Sequence, residues 1–156
     1  MRKSGGFTLL EICLAVLMAL LIFTISVPSV RGLLADSRLH KSFETFDGLA
    51  QDARLRSIRD RRPYLLVWDD KSIELRPAEP TTADEKLDFP VIEPDKGESY
   101  DIELTGALAE KPAKEWIFWP TGTCEPATIT YQSVMGHWLA KYDPLTVQGE
   151  LESNAK

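Results

Sequence analysis

The chain has 156 residues, of which 44% are hydrophobic and 27% charged, a size and composition typical of one ordinary domain. Its formal net charge of −6 is unevenly distributed, with +1 over residues 1–30, +3 over 31–62 and −10 over 63–156. Because the C-terminal part is acidic and would repel phosphates, a nucleic-acid-binding protein held by bulk charge is excluded.

Residues 12–30 contain no charged side chain. At about 1.5 Å per residue, a helix of that length spans roughly 29 Å, the thickness of the hydrocarbon core of a bilayer. We therefore predict a membrane segment at the N-terminus, which excludes a soluble cytoplasmic enzyme.

Two ordinary kinds of membrane segment explain this run incompletely. A secretory signal peptide fits the basic Arg2 and Lys3, but the apolar run is too long and residues 26–31 offer no small-x-small cleavage site. A plain uncleaved anchor fits the length. It does not explain Glu11, a carboxylate inside the hydrophobic sequence, where ionised groups are costly and usually functional.

The sequence Gly-Phe-Thr-Leu-Leu-Glu at residues 6–11, followed by an apolar helix, resembles the type IV prepilin leader and N-methylation motif. Type IV pilins and type II secretion pseudopilins share this motif. The resemblance implies cleavage by a prepilin peptidase between Gly6 and Phe7, and methylation of the new amine of Phe7. Pro28 matches a proline that the family often has near the end of its membrane helix.

The resemblance also implies an organisation into four parts. These are a leader peptide at 1–6, a transmembrane assembly helix at 7–30, an amphipathic continuation of the helix at 31–62 and a periplasmic β-rich head domain at 63–156. Removal of the leader takes away Arg2 and Lys3, which leaves a formal charge of −8.

Elementary electrostatics supports an assembly role for Phe7 and Glu11. Cleavage would create a positively charged amine at Phe7 in a low-dielectric environment, where an uncompensated charge is expensive. Glu11 of a neighbouring subunit can neutralise that amine. At an effective dielectric constant of 20, two unit charges about 4 Å apart attract by roughly 4 kcal/mol, enough to set the axial register of apolar helices. The alternative is that Glu11 only stabilises its own helix N-terminus.

A helical pattern resumes after Pro28, which we expect to kink or loosen the helix. Apolar residues at a 4-3-4-3 spacing predict one buried stripe that packs on a sheet, and Pro63 predicts a helix end near Arg61. The stripe comprises Leu39, Phe43, Phe46, Ala50 and Ala53. The arginines near the helix end either form a solvated face or meet an acidic partner subunit; they are Arg54, Arg56, Arg59, Arg61 and Arg62.

The remaining chain predicts strands, and therefore an α+β fold in which the long helix packs on a C-terminal antiparallel sheet. Residues 64–68 and 72–76 predict a hairpin, and the proline-rich, acidic segment 77–99 predicts an irregular excursion with at most a short strand near 87–92. Further predicted strands are 100–105, 116–119, 127–132, 137–141 and 145–151. Four aromatic side chains are expected in the core or on a sheet face: Trp116, Phe118, Tyr131 and Trp138.

Residues 117–131 and 142–150 are similar to the tail of the minor H-type pseudopilins, which has an aromatic-Pro-x-Gly turn and an Asp-Pro-Leu-Thr-Gly-like hairpin. In this chain, Val147 and Gln148 stand where the family has its glycine. This second resemblance favours secretion over a pilus.

The sequence contains few residues and no common motif suited to catalysis or cofactor binding. It lacks the common nucleophile, phosphate-binding, dinucleotide and metalloprotease motifs, and it has two histidines, His40 on the helix and His137 in a presumed strand. Acidic residues do not follow a calcium-loop spacing. We expect Cys13 to be a small apolar residue and Cys124 to be a free or intermolecular thiol, because a bridge between the two is improbable. We expect no enzyme activity, cofactor or metal.

These inferences predict a minor pseudopilin, a single-pass protein of the bacterial inner membrane with its C-terminal domain in the periplasm. Its expected partners are other pseudopilins, the prepilin peptidase, the inner-membrane assembly platform and secreted proteins. Two alternatives stay open: a minor type IV pilin for adhesion, motility or DNA uptake, and a membrane-anchored periplasmic enzyme or binding protein that keeps residues 1–6.

Overall fold

The computed structural model describes residues 8–69, 71–105 and 114–155, with the side chains of 24–34, Lys86 and 153–155 left out. Within these ranges the chain forms one long helix, α1 (Leu9–Asp60), a short 3-10 turn (Asp84–Lys86) and eight strands. The strands are β1 (Tyr64–Trp68), β2 (Ile73–Pro77), β3 (Val91–Ile92), β4 (Ser99–Leu104), β5 (Glu115–Phe118), β6 (Ala127–Ser133), β7 (Gly136–Tyr142) and β8 (Gly149–Ala155). The predicted α+β class is confirmed.

Helix α1 ends where the sequence predicts. Arg61 caps it with φ = 52°, in the left-handed region that stops a helix, and Pro63 follows. The helix continues through Pro28, so this proline does not terminate it. A bend at Pro28 and the four-part division of the chain stay predictions.

The strands form two four-stranded antiparallel sheets, of order β3-β2-β1-β5 and β4-β6-β7-β8. The predicted single sheet is therefore wrong. The predicted β1–β2 hairpin is confirmed, with Tyr64 opposite Pro77 and Trp68 opposite Ile73. Separate sheets arise because β5 pairs with β1, whereas β4 pairs with β6, and such long-range pairing is decided by packing on the helix rather than by local sequence.

One core joins both sheets to the helix. The predicted helical stripe is confirmed, with Phe43 partly buried and the other members of the stripe buried. Phe46 lies at the centre, with ring centroids 5.6 Å from Tyr100, 6.4 Å from Trp116 and 6.1 Å from Trp138. The four aromatic residues predicted for the core are all buried. Contacts at these distances add to the burial of large apolar surfaces.

The predicted irregular excursion between β2 and β4 is confirmed, and Asp84 ties it to the end of α1. Arg62 holds the Asp84 carboxylate through both of its terminal nitrogens. The backbone N–H and the hydroxyl of Thr81 each donate to Asp84 Oδ2 at 2.7 Å. The Arg62 guanidinium and the Thr81 donors together hold the pKa of Asp84 well below its usual range.

Residues 143–148 form the turn between β7 and β8, so the predicted strand 145–151 begins too early. Asp143 Oδ1 accepts bonds from the backbone N–H groups of Leu145 and Thr146, an arrangement that fixes the turn. Val147 has φ = 55°, which favours glycine, the residue that the related hairpin has near this point. The strain, about 1–3 kcal/mol, is opposed by complete burial of the valine, since burying such a side chain contributes about 1.5–3 kcal/mol.

Candidate assembly surface

The first turn of α1 presents Glu11 to solvent. Thr8 caps the helix: its carbonyl accepts the backbone N–H of Glu11 at 3.0 Å and its hydroxyl accepts the same group at 3.3 Å. Among the described residues, the Glu11 carboxylate has no ion-pair partner in its own chain. The predicted cleavage and methylation sites, Gly6 and Phe7, lie outside the described residues.

The first four turns of α1 expose large apolar side chains on every side. Exposure ranges from 51% at Leu21 to 83% at Leu9. The other members are Leu10, Ile12, Leu14, Val16, Leu17, Met18, Leu20, Ile22 and Phe23. Monomeric soluble proteins rarely expose a continuous apolar surface of this extent, so this segment requires an apolar environment or partner helices.

A shallow concavity of about 450 Å³ lies beside Glu11. Ile12, Ala15, Val16 and Ala19 line it together with Glu11, which places Glu11 at one end of an apolar strip. Because alanine side chains are short, the backbone of a second helix can approach closely along this strip. The geometry brings a charge and an apolar helix-packing surface together.

Within the residues that the structure describes, no helix is both long and apolar enough to cross a bilayer. The predicted membrane segment includes Phe7 and the side chains of 24–30, which lie outside the described residues. The membrane-spanning role of 7–30 stays a prediction.

Most of the arginines near the end of α1 bind partners in their own chain. Arg54 Nε donates to the carbonyl of Gly122 at 2.9 Å. Three others form ion pairs: Arg56 with Asp52, Arg59 with Asp60 and Arg62 with Asp84. Arg61 is exposed. The cluster is thus largely part of the fold, with Arg54 and Arg61 left without a carboxylate partner among the described residues.

The two cysteines differ in accessibility and are both free. Cys124 is 5% exposed, and its thiol lies 3.9 Å from the carbonyl of Asp143. Burial, aided by the nearby Asp143 charge, raises the pKa of Cys124 to about 12. Because a disulfide forms through an accessible thiolate, the expected intermolecular role for Cys124 does not fit this position, whereas Cys13 is exposed.

The described residues contain no group of three histidine, cysteine or acidic side chains placed to hold a metal ion. His40 lies on the exposed surface of α1, 3.3 Å from Glu44, and His137 lies in β7, as predicted. A cleft of about 720 Å³ between the β1–β2 turn and residues 93–100 has Trp68, Lys71, Glu93, Lys96 and Tyr100 in its lining. No histidine or cysteine belongs to that lining among the described residues.

Comparison with solved structures finds a similar architecture. The chain is similar to the minor pseudopilin EpsH from the type 2 secretion system of Vibrio cholerae, with a TM-score of 0.50 and 12% sequence identity. The fold of this chain is pseudopilin-like. The likeness covers 75% of this chain and 96% of the EpsH chain. No protein-family model and no curated protein sequence matches the chain.

Sequence patterns missed several exposed apolar side chains beyond the first turns of α1. Leu55 and Ile58 lie on α1 outside the 4-3-4-3 stripe, and Trp119 and Leu145 lie in turns. Their exposures range from 43% to 69%. The sequence does contain a signal for Leu55 and Ile58. Both lie among arginines, on a helix face that is expected to be polar, and this position indicates that they are exposed.

Proposed function

We propose that this chain is a minor pseudopilin, a structural subunit of the pseudopilus of a type II secretion system. The observation that carries the proposal is a pseudopilin-like fold whose long helix begins with an exposed apolar segment and with Glu11, which has no ion-pair partner among the described residues. A carboxylate beside an apolar helix-packing strip suits insertion among other helices of the same kind.

In this proposal, the protein is inserted in the bacterial inner membrane with its head in the periplasm. A prepilin peptidase removes residues 1–6 and methylates Phe7. The assembly platform then transfers the subunit into the fibre, where residues 7–30 form part of the core. The role is structural, without catalysis, and the fibre drives secreted proteins across the outer membrane.

Within the fibre, Glu11 of one subunit neutralises the amine of Phe7 in the next. The two groups attract strongly only where water is excluded, which is the condition that the surrounding apolar side chains create. Before assembly, lipid covers the apolar surface of α1. In the fibre, neighbouring helices cover the same surface, so little of it contacts water in either state.

Mass spectrometry of the N-terminus of the protein from its native membrane tests the proposal. We expect a chain that begins at a methylated Phe7, and secreted proteins that stay in the periplasm when the chain is deleted. A chain that keeps residues 1–6, or one that is cleaved after Val30, would contradict the proposal. Loss of surface pili with normal secretion would instead identify a minor type IV pilin.

A further inference from the structure

A hollow of about 210 Å³ lies where α1 meets two turns of the head. The turns are residues 95–98, which precede β4, and residues 133–136, which join β6 to β7. Arg38 of α1 lines the hollow together with members of both turns, and its Nη1 atom lies 3.7 Å from Met135 Sδ. We refer to this space as the basal hollow.

Four charged side chains line the basal hollow, two of each sign. Arg38 and Lys96 are the cations, and Asp95 and Glu98 are the carboxylates. Glu98 Oε2 accepts the backbone N–H of Asp95 at 3.3 Å, but none of the four side chains has an ion-pair partner among the described residues. Cations and carboxylates that line one small space without pairing can each bind an opposite charge of the same zwitterionic ligand.

The turn beside the hollow is apolar at its tip. Val134 and Met135 form the two-residue connection between β6 and β7, and Val134 is 82% exposed. Such connections favour Asn, Asp and Gly, so turn formation does not account for two apolar residues here. Val134 also lies beside the other turn, because a Cβ at Gly97 would lie 3.8 Å from Val134 Cγ1. An exposed apolar side chain therefore stands at the rim of a charged hollow.

The basal hollow lies at the end of the head that is nearer to the apolar run of α1. Arg38 follows Val30 by eight residues, or about 12 Å along the helix. Side chains on a helix lean toward its N-terminus, which brings the Arg38 guanidinium still closer to that run. The polar layer of a bilayer is roughly 5–8 Å thick on each side. For a helix along the membrane normal, the guanidinium and the turn that contacts it reach the level of the lipid headgroups.

We propose that the basal hollow binds the phosphoethanolamine headgroup of a membrane phospholipid. The phosphate would lie between Arg38 and Lys96, the ammonium would meet Asp95 and Glu98, and Val134 would enter the bilayer interface beside them. A purely anionic headgroup fits less well, because it would face two carboxylates on a part of the chain, residues 63–156, whose formal charge is −10. The inference rests on the proposed function, since it needs residues 7–30 to span the bilayer.

The contact is small, so it is weak for a headgroup in free solution. Anchoring of α1 in the same bilayer holds the hollow at a high effective concentration of headgroups, which makes a weak site sufficient. The site would orient the head on the membrane before assembly, and the headgroup would stay behind when the chain moves into the fibre.

Fluorescence quenching of the full chain in lipid vesicles tests the proposal. In a Cys13→Ser background, Val134→Cys carries a fluorophore and the vesicles carry a nitroxide on lipid headgroups; the buried Cys124 stays unlabelled. Leu55→Cys is the matched control, since Leu55 is also an exposed apolar residue. It lies about 37 Å along α1 from Val30, so we expect quenching at position 134 to be at least about fivefold stronger. Equal quenching at the two positions would overturn the proposal.

The composition of the vesicles identifies the headgroup. Vesicles rich in phosphatidylethanolamine should quench position 134 most strongly. Phosphatidylcholine should quench at least about twofold less, because its methylated ammonium cannot donate a hydrogen bond to a carboxylate, and phosphatidylglycerol should do the same because it has no ammonium. Equal quenching in all three would overturn the assignment of an amine-bearing headgroup.

Charge variants locate the contact at the hollow. Arg38→Gln combined with Lys96→Gln should reduce quenching at position 134 to nearly the level at position 55. Both side chains are exposed, so the circular dichroism spectrum should stay unchanged. Lys41→Gln is the control, because Lys41 is an exposed cation on the same helix that is not part of the lining. An equal loss with Lys41→Gln, or no loss with the double variant, would overturn the site.

The outcome is separable from that of the proposed function. A chain that is cleaved between Gly6 and Phe7 and stays in the membrane, but shows no preferential quenching at position 134, overturns only the headgroup site. A chain that shows the expected quenching but keeps residues 1–6 overturns the pseudopilin assignment instead.

Discussion

Gly149 lies directly opposite Tyr142 in the β7–β8 ladder, so close that a Cβ atom at position 149 would lie 2.9 Å from Tyr142 Cζ. The tyrosine ring cannot withdraw easily. Its centroid lies 4.9 Å from that of Trp116, and its hydroxyl donates to Asp47 Oδ1 at 3.1 Å. Burial raises the pKa of Tyr142, which keeps the phenol protonated as a donor. The last strand thus closes over the core only because residue 149 lacks a side chain.

Gly149→Ala should therefore lower the free energy of unfolding by about 1–3 kcal/mol, the usual cost of overpacking a filled core. Urea unfolding followed by circular dichroism measures the change. Gly48→Ala is the matched control, because a Cβ at position 48 in α1 meets no atom within 4 Å. It should raise the stability by about 0.5–1 kcal/mol, since alanine favours a helix over glycine. If both variants changed the free energy of unfolding in the same direction, the close approach of Gly149 to Tyr142 would not limit the size of residue 149.

Ser42→Ala tests the hydrogen bond that ties the second sheet to α1. Trp138 is fully buried, and its indole N–H donates to Ser42 Oγ at 2.8 Å. Removing the hydroxyl leaves a buried donor unpaired, so unfolding should need about 1–3 kcal/mol less free energy. Thr45→Ala is the control, because its exposed hydroxyl bonds only its own helix, to the Lys41 carbonyl. Equal losses in urea unfolding would mean that the Trp138 contact contributes nothing.

Asp84→Asn should destabilise the protein in a pH-dependent way. Arg62 and Thr81 lower the pKa of Asp84 in the folded state, so its contribution is present above the ordinary carboxyl pKa near 4 and is lost as the pH falls through the lowered value. Unfolding midpoints in urea should differ between the parent and the variant at pH 7, and the difference should shrink progressively as the pH falls below about 4 toward the lowered pKa. Asp88→Asn, an exposed change in the same excursion, should leave the midpoint unchanged at both pH values.

Local patterns predicted the parts of this fold that local forces decide. The spacing of Leu39, Phe46, Ala50 and Ala53 identified the buried stripe because a helix repeats every 3.6 residues, whatever lies against it. Pro63 marked the helix end for an equally local reason. The predicted β1–β2 hairpin also needs only its own residues and a short turn.

Features that depend on distant partners could not be predicted. Two sheets replace the expected one because β5 pairs with β1 across about fifty residues of sequence. Arg62 binds Asp84, which lies 22 residues away in the sequence, and no local pattern indicates that partner. Val147 departs from the sequence of the related hairpin, but its positive φ and its complete burial are visible only in the structure.

Thiol labelling should distinguish the two cysteines. The pKa of Cys124 is raised to about 12 and its side chain is buried, so thiolate at neutral pH is scarce and out of reach. Iodoacetamide should leave Cys124 unmodified in the native protein and modify it in urea, as peptide mass spectrometry can record. Cys124→Ser identifies the corresponding peptide. A dimer linked through Cys124 after mild oxidation of native protein would contradict the burial.

Replacement of Glu11 tests the electrostatic basis of assembly. Under the proposed function, Glu11→Ala should still be inserted and cleaved, because residues 1–6 and the apolar run are unchanged, but it should not enter the fibre. The variant loses an attraction of roughly 4 kcal/mol, and each 1.4 kcal/mol corresponds to about a tenfold change in an equilibrium. We therefore expect incorporation to fall by well over tenfold. Incorporation is measured as the fraction of subunits that sediment with sheared fibres.

Glu11→Gln refines the same test, because the amide keeps the shape of the side chain and can accept a hydrogen bond but carries no charge. If the charge sets the axial register, Glu11→Gln should fail as Glu11→Ala does, while Glu11→Asp should retain part of the incorporation. Leu14→Ala, at an exposed apolar position one turn away, controls for lost packing alone. Normal incorporation of Glu11→Gln would show that packing of the apolar surface, rather than the ion pair with Phe7, determines how the helices align.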